Sequence, residues 1–318
     1  MKKFKQIIVT SRPQQITKNF LVLIPLFFTI NIWFSQQDIS GVISIILKSL
    51  LALGIAILIS SAVYYINDLT DINQDKNHPV KKNRPIANGD ISGKLAITIA
   101  IILIITSLTL SYIISYQMLL ATFTYLIINL FYSLYLKNLV IIDILCISAS
   151  FVIRAIMGSI AIDYSIITIN ENQVELDLTI SPWLYVVTGL GSLMLAIGKR
   201  RAEMKNLEQS NNYDQRIVLS KYSIPFIDSI LNIVSSATLI CYTLYTFNSE
   251  SNSNVPDNNS MMITIPFVAF GIIRYIYLLF HDNKGETPEK ILVSDLPTII
   301  NIILWIIAGS TILMVGKN

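Results

Sequence analysis

The chain has little of what much catalytic and metal-binding chemistry draws on. Its 318 residues include 2 cysteines and 2 histidines, and Asp, Glu, Lys and Arg together make up 14%. Cys146 and Cys241 fall in separate apolar stretches, which argues against a disulfide framework or a thiolate metal site. Charge this sparse would leave a soluble domain of this size hard to keep in solution. No polar linker or low-complexity tract divides the chain, so one domain over residues 1–318 is the simplest organisation. Period-two strand alternation is absent. Four stretches lack Lys and Arg altogether: 35–40, 115–117, 163–181 and 248–260. They carry Asp38, Asp163, Glu171, Glu175, Asp177, Glu250 and Asp257 instead.

Apolar sequence takes the place of charge. Hydrophobic residues make up 53%, and the mean hydropathy is +0.61. About nine apolar runs approach the roughly 20 residues that a bilayer core requires. They are Phe20–Phe34, Val42–Ile66, Leu95–Ile114, Met118–Leu136, Val140–Ile162, Pro182–Ile197, Ser223–Phe247, Met261–Phe280 and Pro297–Val315. Irregular backbone would be unpaired in lipid, so the runs predict an all-α, polytopic membrane bundle. The first run is short, and Pro25 and Pro266 predict kinks. Met1-Lys2-Lys3-Phe4-Lys5 is followed by polar rather than apolar residues, so it is read as an amphipathic cytoplasmic lead-in and not as a signal peptide.

Lys and Arg cluster on alternate connections: Lys76, Lys81, Lys82 and Arg84; Lys137; Lys199, Arg200, Arg201, Lys205, Arg216 and Lys221; Lys284 and Lys290. The positive-inside rule puts these, and the N-terminus, on the cytoplasmic side of a plasma membrane. Such a face suits anionic headgroups. No nucleic-acid recognition pattern is present. The large lipid-facing surface is compatible with a homo-oligomer.

The most informative segment is Asn67-Asp68-Leu69-Thr70-Asp71-Ile72-Asn73-Gln74-Asp75, where the second apolar run ends. On a continued helix, offsets of three and four residues align Asp68, Asp71 and Asp75 in one stripe. Three carboxylates on one ridge repel one another, so a cation must offset them. Hard oxygen ligands suit Mg²⁺ shared with substrate phosphates. Lys81, Lys82 and Arg84 follow, able to grip phosphate oxygens. A solvated polar loop is the bland alternative. The sixth run ends in Gly198-Lys199-Arg200-Arg201-Ala202-Glu203, where Lys199 and Arg200 are both within helical reach of Glu203. Segments 67–93 and 198–222 thus form two cytoplasmic caps, one acidic and one basic, four helices apart. Arg154, Arg274 and Asp143 are charges near or within membrane depth, where such groups face the bundle interior or snorkel. For Arg154 a structural pair with a carboxylate or with helix carbonyls is expected. The interfacial aromatic belt accounts for Tyr132 and Tyr135.

The Asn67-Asp68-x-x-Asp71-x-x-x-Asp75 pattern resembles the first aspartate motif of the UbiA superfamily of intramembrane prenyltransferases. Ordinary members carry a second aspartate-rich motif after the sixth helix, where this chain has Gly198-Lys199-Arg200-x-Ala202-Glu203. That departure, with His78-Pro79-x-Lys81-x-x-Arg84-Pro85, Tyr132-Ser133-Leu134-x-Leu136-Lys137, Val140-Ile141-x-Asp143 and Arg154-Ala155-Ile156-x-Gly158, resembles the decaprenyl-phosphate phosphoribosyltransferase branch. The resemblance implies a fold of nine helices with a cytoplasmic-side active site. It implies transfer of phosphoribosyl from phosphoribosyl pyrophosphate to a polyprenyl phosphate, giving a lipid-linked pentose donor for cell-envelope glycans. Mg²⁺ would be held by Asp68, Asp71 and Asp75, with Asp68 and Asp71 in the catalytic role. Asn67, Lys81, Lys82, Arg84, Lys137, Asp143, Lys199, Arg200 and Glu203 would contact substrate. An ordinary Mg²⁺-dependent prenyltransferase is the main alternative, although Lys199 and Arg200 would repel a second metal. A transporter using Arg154, Arg274 and Asp143 as a relay leaves the clustered aspartates unexplained.

Overall fold

The computed structural model describes residues 2–34, 38–77, 81–163, 165–169, 172–176, 181–210, 217–247, 259–281 and 294–315. Helices dominate: α1 (Lys2–Thr10), α2 (Ile24–Phe28), α3 (Ile30–Trp33), α4 (Ile39–Thr70), α5 (Ile72–Asn77), α6 (Gly93–Ile114) and α7 (Tyr116–Leu134). They continue with α8 (Ile142–Ile162), α9 (Pro182–Ser210), α10 (Ile224–Phe247), α11 (Ile265–His281) and α12 (Leu296–Val315). Within the described residues, seven helices are long and apolar enough to cross a membrane. All but two of the apolar runs correspond to them.

The two exceptions have local causes. The expected span Phe20–Phe34 is broken into the end of a 3-10 helix (Pro13–Leu23), then α2 and α3. Thr29 separates the two short helices, its hydroxyl donating to the Pro25 carbonyl at 2.7 Å. Helix α9 is long, but its C-terminal half carries the Lys199–Lys205 charges, which leaves a short apolar portion. A second difference lies at 163–181, expected to be a loop without strand structure. Two antiparallel strands form there, β1 (Ser165–Ile169) and β2 (Asn172–Leu176), paired Ser165↔Leu176 through Ile169↔Asn172. β-branched residues in Ser-Ile-Ile-Thr-Ile favour a pleated strand.

Short polar side chains start the helices. Asp38 accepts from the Gly41 amide at 2.8 Å, Ser92 from Leu95 at 3.4 Å and Ser115 from Met118 at 3.0 Å, each satisfying an orphan amide of the first turn. Helix α4 buries Ala52, Ile55, Ala56, Ile59 and Ala62 and exposes Leu47 and Leu50, a helical stripe turned to the bundle with leucines left for lipid. It packs on α6, α7, α8 and the 3-10 helix. At about 1.5 Å rise per residue, its 32 residues exceed a hydrocarbon core of about 30 Å. The surplus carries its last turn, with Asn67 and Asp68, towards the membrane edge. The 3-10 helix lies hard against α8: a Cβ on Gly158 would come within 1.9 Å of the Val22 carbonyl oxygen.

Candidate active site

Of the three aspartates of the acidic cap, Asp68 and Asp75 meet at one cationic nitrogen of Arg84, while Asp71 pairs separately with Lys137. Helix α4 ends at Thr70, and Asp71 departs from helical geometry at φ −95°, ψ 6°. Hydrogen bonding nevertheless runs on. The Asp71 amide donates to the Asn67 carbonyl at 3.0 Å, and the Asp75 amide donates to Asp71 at 2.8 Å. All three carboxylates are buried, with Asp68 at 2%, Asp71 at 8% and Asp75 at 3% exposure.

Each is matched by a cation from a different part of the chain. Arg12, just after α1, donates to Asp68. Arg84, after the 3-10 turn Lys81–Asn83, bonds through Nη1 to Asp68 at 3.1 Å and to Asp75 at 2.6 Å. Lys137, in the 3-10 turn Leu136–Asn138 between α7 and α8, donates to Asp71. Burial of carboxylates at this density is tolerable only with such pairing. Lys81 is half-buried and Lys82 exposed beside Arg84. His78 lies outside the described residues.

The sequence-predicted basic cap is more tightly engaged than a set of free cations. Arg200 is 1% exposed. Its Nε donates to Asp143 at 2.7 Å, Nη1 to Glu203 at 2.5 Å and Nη2 to the Tyr132 hydroxyl at 3.1 Å. Asp143, at 0% exposure, also accepts from the Tyr222 hydroxyl at 2.7 Å, and that hydroxyl accepts from the Ile141 amide at 2.6 Å. Ile141 holds φ 70°, an outlier for a β-branched residue. Burial and the hydrogen bond to Asp143 push the Tyr222 phenol well above its ordinary range, so it remains a donor. Lys199 is half-buried on the preceding position. Arg201 turns away, bonding Asp228 at 2.5 Å and lying 3.7 Å over Phe280.

The stretch Tyr132–Asp143 touches both groups. Tyr132 and Asp143 bond Arg200, whereas Lys137 bonds Asp71. The acidic and basic caps are therefore neighbours across the α7–α8 connection. Sequence reading missed Arg12 and Tyr222, and it assigned Tyr132 to an aromatic belt. Tyr135 is exposed at the surface. Arg154 bonds Asn19 at 2.8 Å, the Ser150 carbonyl at 3.0 Å and Tyr125 at 2.7 Å, so helix carbonyl and neutral partners hold it. Arg274 pairs with Asp295 at 2.8 Å.

As placed here, and among the described residues, no three acidic, histidine or cysteine side chains stand close enough to hold a metal ion. The donor chemistry nonetheless fits one. Asp68 and Asp75 already share a single cationic nitrogen. Asn67 Oδ1, in the same turn, is buried and accepts no hydrogen bond among the described residues. Hard oxygens of this type suit Mg²⁺.

A model of the UbiA prenyltransferase family matches residues 22–292. The chain belongs to that family. Among its curated relatives is the decaprenyl-phosphate phosphoribosyltransferase of Mycolicibacterium smegmatis, 29% identical over 303 residues, covering 93% of this chain and 88% of the relative. The protein of the same description from Mycobacterium tuberculosis is 30% identical over 295 residues, covering 93% and 90%. Among solved structures, a UbiA homolog from Archaeoglobus fulgidus bound to GPP and Mg²⁺ aligns at TM-score 0.66 and 17% identity, over 98% of this chain and 99% of that one. A structure of digeranylgeranylglyceryl phosphate synthase aligns at TM-score 0.66 and 19% identity, covering 99% of each chain. These neighbours share the UbiA-type fold. With its apolar helices, the chain is a multi-pass membrane protein of this family.

Proposed function

We propose that the protein transfers 5-phosphoribosyl from phosphoribosyl pyrophosphate to a polyprenyl phosphate and releases diphosphate, at the cytoplasmic face of the membrane. The product would be a lipid-linked pentose donor for cell-envelope glycans. Relatives named for that activity at about the same length support the reading. The observation that carries it is the basic cluster. Asp143 and Glu203 are both taken up by Arg200, at the position where prenyl-transferring members carry their second acidic motif. Unlike Arg12 and Arg84, whose side chains are 19% and 26% exposed, Arg200 is 1% exposed and has no path away from its carboxylates, so its fixed charge disfavours a second metal ion there.

The chemistry follows from the two caps. Asp68, Asp71 and Asp75, with Asn67 beside them, would hold Mg²⁺, which when bound supplies charge neutralisation to a leaving diphosphate. Arg84 reaches the same carboxylates, and Lys81 and Lys82 flank it, so their charges orient the phosphates. Lys199 would meet the sugar 5-phosphate or the lipid phosphate, next to the Arg200 guanidinium whose charge Asp143 and Glu203 take up. Asp143, Glu203 and Tyr222 position that guanidinium. The attacking phosphate monoester is already anionic near neutral pH, so no side chain has to remove a proton. Oriented, desolvated donors around the developing charge are where most of the acceleration would arise.

Detergent-purified protein given Mg²⁺, ribose-labelled phosphoribosyl pyrophosphate and polyprenyl phosphate should move label into the organic phase. Label that stays aqueous, while a prenyl diphosphate is consumed with an aromatic or lipid acceptor, would replace this reading with ordinary prenyl transfer.

A further inference from the structure

Arg12 stands in the left-handed region, at φ 53°, ψ 62°, directly before Pro13. A side chain at Cβ and a following proline both disfavour that backbone. Its surroundings nevertheless fix it there. The Arg12 amide donates to Val9 at 3.1 Å, and its carbonyl accepts from Gln15 at 2.9 Å. Tyr65 on α4 donates to the Ile7 carbonyl at 2.8 Å, and Ser61 to the Ser11 carbonyl at 3.4 Å. Those outside contacts hold this non-glycine residue in a conformation that its own sequence disfavours.

The guanidinium is placed with equal care. It pairs with Asp68 and lies 4.9 Å from the centre of the Tyr64 ring, a cation–π contact. The Arg12 side chain is 19% exposed and that of Asp68 only 2%, so the arginine joins the buried carboxylate to the accessible side. Asp68 Oδ1 accepts from both Arg12 and Arg84. Arg12, Arg84 and Lys137 therefore balance Asp68, Asp71 and Asp75 charge for charge. A divalent cation entering alone brings two uncompensated charges into a buried site. A divalent cation entering with a diphosphate does not, provided that one of the arginines moves to the phosphates.

We propose that Arg12 is a diphosphate-binding residue, held on Asp68 and handed to a phosphate oxygen as a divalent cation takes Asp68, so that metal and diphosphate bind as a pair. This rests on the diphosphate half of the proposed function only. Phosphoribosyl and prenyl transfer release the same group, so failure of the ribosyl assay leaves it standing. Arg84 stays with Asp75 in the exchange. Arg12 is the mobile partner because Asp68 is its one carboxylate among the described residues, whereas Arg84 is also held by Asp75.

Calorimetry on the full chain in detergent tests this, with Mg²⁺ alone, inorganic diphosphate alone, and both. In the wild type, diphosphate should tighten Mg²⁺ binding at least tenfold. Arg12→Gln should remove most of that enhancement while tightening Mg²⁺ alone, since one competing cation is gone. Arg12→Lys should restore part of it. An unchanged enhancement in Arg12→Gln overturns the proposal, and so does a parallel weakening of both measurements, which is what a purely structural arginine would give. Should Arg12→Gln fail to fold, Asp68→Asn decides. With Arg12 released, inorganic diphosphate without metal should bind severalfold tighter, and unchanged binding overturns the proposal.

Discussion

Arg84 Nη1 lies 2.6 Å from Asp75 Oδ2 and 3.1 Å from Asp68 Oδ1, so one guanidinium nitrogen joins carboxylates two helical turns apart. The bridge exists because the chain stays nearly helical through the break at Asp71. A basic turn then folds back over α5 with Arg84 at its end.

Arg84→Gln should therefore raise the KM for the diphosphate substrate by about 10- to 100-fold, as expected from losing one charge-assisted hydrogen bond of about 1.5–3 kcal/mol. Steady-state kinetics with varied donor measures it. A fall in kcat at unchanged KM contradicts a binding role.

Asp68→Asn should lower kcat by on the order of 10²–10³ with the melting temperature only slightly lowered, because Arg84 retains Asp75 and the released Arg12, 19% exposed, reaches solvent. Asp71→Asn should also lose turnover, but with lower stability, since it leaves the buried Lys137 unpaired. Adding Lys137→Met should restore the melting temperature without the turnover. Near-wild-type rates in Asp68→Asn contradict the metal assignment.

Arg200→Met should destabilise the protein by about 3–5 kcal/mol, because Asp143 is fully buried and Arg200 is its cationic partner. The double variant Asp143→Asn/Arg200→Met should recover much of that loss, and unfolding in detergent measures both. Equal losses in single and double variants would mean the pair does not couple.

Gly158→Ala should cost about 1–3 kcal/mol by overpacking. The new methyl group meets the Val22 backbone carbonyl, which cannot step aside as a flexible side chain can. The unfolding temperature reports it, and no change would show that the 3-10 helix is not seated on α8.

The legible parts of the site were those written in local spacing. Asp68 and Asp75, two helical turns apart, meet at Arg84, and Lys81, Lys82 and Arg84 follow closely in the chain; Asp71, where α4 breaks, is held by Lys137 instead. Arg12 was not legible. It is a single basic residue near the N-terminus, and its bond to Asp68 spans 56 positions, a distance that only tertiary packing closes. Tyr222 likewise reaches Asp143 across 79 positions. Tyr132 carries an ordinary interfacial signature, so only its contact with Arg200 reveals its second use. For the fold, long apolar runs identify the membrane helices. The broken first segment is decided by Pro13, Pro25 and the Thr29 hydroxyl, and its hydropathy does not show it. The β1–β2 hairpin had a visible signal in its β-branched residues, masked because the stretch was read for its missing charge.

The central claim is that the acidic cap holds a diphosphate leaving from ribose, and not from a prenyl chain. Purified protein should be given phosphoribosyl pyrophosphate, polyprenyl phosphate and Mg²⁺, and inorganic diphosphate and lipid-borne ribose should be counted in the same sample. The two should appear in equal amounts, and both should vanish with chelator or without the lipid phosphate. Release of diphosphate from a prenyl diphosphate but not from the sugar substrate would contradict the account.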